Sequence, residues 1–140
     1  MSNTTLASAV VYVQRLLDEI NTTRDYLLGA VEAERANLLT MKQAEGKLDA
    51  LVNRQLILDN QPPNGVLAGF PKTSELYKTA YAARRAELEQ MFPAEYEAAS
   101  LARERHYQAS TEKERASISY QAARVKADLL SGFLRFDNKE

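Results

Sequence analysis

Stepping from Leu6 by alternate strides of four and three residues reaches Val10, Val13, Leu17, Ile20, Arg24, Leu27, Val31, Glu34, Leu38, Met41, Glu45, Leu48, Val52, Gln55 and Asp59. Eleven of these sixteen positions are apolar, which is the stripe of a helix built to lie along another helix. No proline falls between Thr5 and Leu58, and only Gly29 and Gly46 interrupt a run of good helix formers. The pattern predicts one very long helix over about 5–58.

A second period runs through the same segment. Leucine doublets at Leu16–Leu17, Leu27–Leu28 and Leu38–Leu39 recur every 11 residues, followed in step by Ile20 and Val31. An 11-residue period favours a straight or slightly right-handed path where a heptad favours a left-handed one. The doublets also widen the stripe beyond what one partner helix covers. Leu16, Leu28, Leu39 and Leu51 are therefore candidate contacts to a further chain.

The stretch DNQPPNGVLAGFP, Asp59 to Pro71, gathers two glycines, three prolines and an Asn-Gly pair, and marks a reversal within 59–72. Val66, Leu67 and Phe70 sit in it, either as a plug over the hairpin tip or as a docking tip for a partner. Helix resumes at about 73, with Thr73 or Ser74 as N-cap and Glu75 where an acid suits the helix dipole. Pro93 kinks or breaks this second arm near 92–93, and the remainder runs to about Ser131, with Gly132 placed as a left-handed terminator.

The two arms are of similar length, so the expected fold is all-α: a long antiparallel helical hairpin, coiled-coil-like, forming a single domain over 1–140. A compact four-helix bundle, with the first helix broken near NTTR or Gly29, is the alternative. If facing residues have numbers adding to about 131, Glu45 meets Arg84 as a register pair, Arg24 lies near His106, and Leu39 near Phe92 and Pro93.

Charge narrows the function classes. Eighteen basic and nineteen acidic residues leave a net charge of −1, with no strongly basic half to follow a phosphate backbone. Cysteine is absent, which removes disulfides, thiolate metal sites and cysteine nucleophiles. The single histidine, His106, has Arg103 three residues before it, so the Glu-x-x-His pair of di-iron bundles is missing. Glu32, Glu34, Glu45 and Asp49 cluster loosely without a facing carboxylate set, and PPNGVLAGFP has neither the G-x-x-x-x-G-K spacing of a phosphate-binding loop nor a strand before it. No cofactor or metal is expected.

Tyr77 and Tyr81, beside Arg84 and Arg85, form the best recognition patch, although that spacing also suits core or rim. The opening segment meets Arg15 and Asp18 too early for a signal peptide or a membrane span, so the expected location is cytoplasmic or inside a particle assembled from cytoplasmic subunits. The functional expectation is a non-enzymatic helical subunit that oligomerises or docks along protein partners, in the manner of an adaptor, stalk, chaperone or virion component. The alternative is a helical oligomer that associates with nucleic acid through its slightly basic C-terminal half.

Overall fold

The computed structural model describes the backbone of residues 3–59 and 75–137, with side chains over 5–58 and 75–132. Among these residues the chain is all-α: α1 spans Asn3–Asp59, α2 Glu75–Met91 and α3 Pro93–Asp137. The first arm is one unbroken helix through NTTR, Gly29 and Gly46, where added Cβ atoms would meet open space. The expected reversal, with Val66, Leu67 and Phe70 in it, lies outside the described residues.

The break in the second arm falls at Phe92. Its N–H donates to the Glu89 carbonyl at 3.3 Å, closing α2, and its own carbonyl accepts the Tyr96 N–H at 2.9 Å, opening α3. Proline disfavours helical geometry in the residue before it and suits the first helical position, so Phe92–Pro93 is where a helix stops and another starts. Glu95 lies in the first turn of α3. At the other end Gly132 does not terminate the helix, because α3 continues through it to Asp137.

The chain divides into two compact units. In the unit of residues 37–106, Leu48, Val52 and Leu56 of α1 bury against Leu88 of α2 and Ala99 of α3, with Ala44, Tyr81, Phe92 and Tyr96 packed around them. Each large aliphatic side chain so covered contributes about 1.5–3 kcal/mol of transfer free energy. This is an ordinary apolar core.

The unit of residues 1–36 and 107–140 is built differently. Here α1 and α3 run antiparallel, with the Lys113 ammonium donating to Glu34 at 2.8 Å and the Lys126 ammonium to Glu19 at 2.9 Å. Of its described side chains only Leu16, Ala116 and Ala123 are buried. Alanine covers little area, at roughly 0.8 kcal/mol per buried methyl-sized group, so this unit has a thin apolar seam.

The register differs from the expected one. Facing acid and base numbers total 145–148 for the pairs of α1 with α3, not 131, and Glu45 pairs with Arg103, whose Nε donates to it at 2.6 Å. Arg84 instead reaches Glu87 at 2.9 Å on its own helix. The reason lies in the 37–106 core: α2 and the start of α3 both pack on the Leu48–Leu56 stretch of α1. That stretch takes up chain which an unbroken second arm would have laid further along α1.

Candidate functional site

Each leucine doublet on α1 is split between two faces. Leu16 is buried and Leu17 is 50% exposed; Leu27 and Leu38 are half-buried, whereas Leu28 and Leu39 are 55% and 58% exposed. Neighbours on a helix differ by about 100° in direction, so only one of each doublet can face α3. Leu16 therefore belongs to the seam and not to a docking surface, which corrects its assignment as a contact residue. The expected stripe holds from Ile20 to Gln55 except at Arg24, which is exposed while Thr23 turns inward and donates its Oγ1 hydrogen to the Glu19 carbonyl at 2.7 Å. Leu6, Val10, Val13 and Leu17, placed by the pattern in the seam, are all exposed. Choosing Leu16 as the inward residue rotates them to one side.

The result is a row of outward apolar side chains, Leu6, Val10, Val13, Leu17 and Leu28, on α1. A comparable row on α3 comprises Tyr107, Ile118, Val125 and Leu129, with exposed Ala122 among them. The sequence pattern flagged Leu28 and missed the α3 row. Its signal was present, since Ala102, Ala109, Ala116 and Ala123 recur every seven residues, fix the inward face and leave Ile118, Val125 and Leu129 pointing away.

In the 37–106 unit, Leu51 is half-buried, and Tyr77 and Tyr81 are half-buried with rings stacked at 6.1 Å and 24°. Tyr81 packs against the core, and its hydroxyl supports Arg85. Burial alone would lower the Arg85 pKa, but the hydrogen bond with Tyr81 and the charge of Asp49 hold the guanidinium above its ordinary value. Arg85 also contacts Asp49 and lies 3.5 Å from Glu89. Three of the four acids of the loose cluster on α1 are held in ion pairs, Glu34 with Lys113, Glu45 with Arg103 and Asp49 with Arg85, while Glu32 is exposed. A carboxylate facing a cation is held for structure and is poorly placed to gather a metal, and the described residues contain no group of three or more metal-ligating side chains.

One shallow groove of about 440 Å³ runs beside Ala7, Ser8, Val11, Tyr12 and Arg15. It is open to solvent, and its described lining lacks the several convergent polar groups typical of a small-molecule site. Together with the outward row, it makes the first turns of α1 apolar on two sides. In the same unit Tyr26 donates its hydroxyl hydrogen to Glu112. That hydrogen bond, with smaller contributions from desolvation and the carboxylate charge, raises the Tyr26 pKa above 10.0.

Among the described residues no helix is long and apolar enough to cross a membrane. Comparison of the chain with protein-family models, curated proteins and solved structures returns no match.

Proposed function

We propose that this chain is a non-enzymatic helical interaction subunit that works by side-to-side helix packing with other protein chains in a larger assembly. The observation that carries the reading is the imbalance within the 1–36 and 107–140 unit. Nine large apolar side chains there stand outward in rows, while among its described residues only Leu16, Ala116 and Ala123 are buried, with Ile20, Leu27, Val31 and Leu130 half-buried beside them. Soluble monomers scatter apolar residues over their surfaces; apolar rows at helical spacing mark helix–helix contacts. The apolar core of the 37–106 unit supports the same division of labour, with one unit held by its own packing and the other left to be completed by contact. A cytoplasmic or particle-internal setting is part of this proposal.

Sedimentation velocity over a concentration series, combined with affinity capture from the native host, tests it. Self-association or a stoichiometric protein partner is the expected result. A strictly monomeric chain that stays soluble at high concentration and captures no protein refutes it.

A further inference from the structure

The two outward rows have the same spacing. Along α1 the row reads Leu6, Val10, Val13, Leu17, then Leu28; along α3, read backwards, Leu129, Val125, Ala122, Ile118, then Tyr107. Both advance by four, three, four and eleven residues. Set antiparallel, Leu6 falls opposite Leu129, Val10 opposite Val125, Val13 opposite Ala122, Leu17 opposite Ile118 and Leu28 opposite Tyr107. Large residues meet large ones, and the small Ala122 meets a β-branched valine.

Within one chain these rows cannot meet. At about 100° per residue the α1 row lies about 90° round from the direction of buried Leu16, and the α3 row lies on the side of α3 opposite its buried alanines. We infer that the α1 row of one copy packs antiparallel on the α3 row of a second copy, so that this protein assembles with itself head to tail. The inference rests on the reading of the chain as an interaction subunit and names the partner.

Area and charge both favour a second copy. The large side chains of the two rows are 36–73% exposed. Complete covering of the two rows would remove at most on the order of 1,000 Å² of surface, which with a polar rim places the contact near the lower bound of about 1,200 Å² for a specific interface. Between the apolar stretches, Arg24 of one copy falls within a turn of Glu114 of the next. Glu114 makes no ion pair among the described residues, and Arg24 reaches only its neighbour Asp25, at 3.6 Å. A guanidinium and a carboxylate thus meet at the polar middle of the contact.

The geometry also fixes the kind of assembly. Within one chain Glu19 is level with Lys126, whereas the intermolecular match sets Leu6 level with Leu129. Successive copies are therefore offset by about ten residues, or about 15 Å along the helix axis. A contact between two different patches that carries an axial offset does not close into a planar ring; it propagates.

Two variants of the full chain test this. Val10→Glu with Val13→Glu blocks the α1 row, and Ala122→Glu with Val125→Glu blocks the α3 row; circular dichroism checks that helix is retained, and Gln replaces Glu in any variant that loses it. In sedimentation velocity the wild type should gain mass with concentration beyond a dimer. Each variant alone should associate at least about tenfold more weakly. Their mixture should give a 1:1 species of twice the chain mass and nothing larger, because one intact row of each kind remains. Variants that each still dimerise but do not combine would show rows pairing like with like and overturn the inference. A monomeric wild type that binds a host protein through these rows would overturn it too, while leaving the interaction-subunit reading intact.

Discussion

Glu45 and Arg103 offer the sharpest test of the register. The Arg103 Nε lies 2.6 Å from Glu45 Oε1, and this hydrogen bond is the largest influence raising the Arg103 pKa, ahead of burial, which opposes it. In a dry interior such a contact would be worth many kcal/mol, but the Arg103 side chain is 50% exposed and that of Glu45 32%. Water screens pairs of this kind to about 0.5–1 kcal/mol. A double-mutant cycle of Glu45→Ala and Arg103→Ala in urea should return that coupling. With a urea slope of about 1–3 kcal/mol/M, midpoints need resolving to roughly 0.1–0.2 M. The coupling should shrink in about 1 M salt, where the screening length is about 3 Å. The parallel cycle of Glu45→Ala with Arg84→Ala should be additive. Coupling to Arg84 and none to Arg103 would refute the register described above. On the alkaline side, a base with a raised folded pKa keeps its contribution at every pH below its unfolded value, which for a guanidinium lies far above neutrality, so Arg103 itself adds no pH dependence near pH 7.

Other expectations follow from burial and titration. Leu88→Ala empties a fully buried site in the 37–106 core and should lower unfolding free energy by about 2–5 kcal/mol in chemical denaturation. Ala116→Leu forces an isobutyl group into a seam with no exposed surface and should cost about 1–3 kcal/mol, whereas Ala122→Leu, on the outward face, should leave stability within about 0.5 kcal/mol. Absorbance at 295 nm should show Tyr26 ionising above 10.0, and Glu112→Gln should bring that titration down. Because the folded pKa is raised, the Tyr26 contribution is fully present below its unfolded pKa and is lost as pH rises through the folded value, so wild type should lose stability at strongly alkaline pH more steeply than Tyr26→Phe.

Much of the helical architecture is legible along the chain, because it depends on local chemistry. The absence of proline and the continuous stripe set the length of α1, and Pro93 forces the break between α2 and α3 at Phe92, since both effects act within a turn. Gly132 shows the limit of such reasoning: glycine permits a left-handed end but does not require one, and α3 passes through it.

What tertiary structure alone decided is rotation and register. Leu16 and Leu17 are equally apolar, so sequence cannot say which turns inward; in the folded chain Leu16 is buried and Leu6, Val10, Val13 and Leu17 are exposed. Alanines repeating every seven residues look the same after a slide of one heptad, so the seam by itself discriminates weakly between registers. The choice fell to contacts distant in sequence. Leu88 and Ala99 share the same stretch of α1, and Arg103, Lys113 and Lys126 meet the acids Glu45, Glu34 and Glu19, partners 58, 79 and 107 residues away along the chain. Local propensity carries no information about such pairings, because it is fixed within a few residues, whereas register is fixed only once the arms have met.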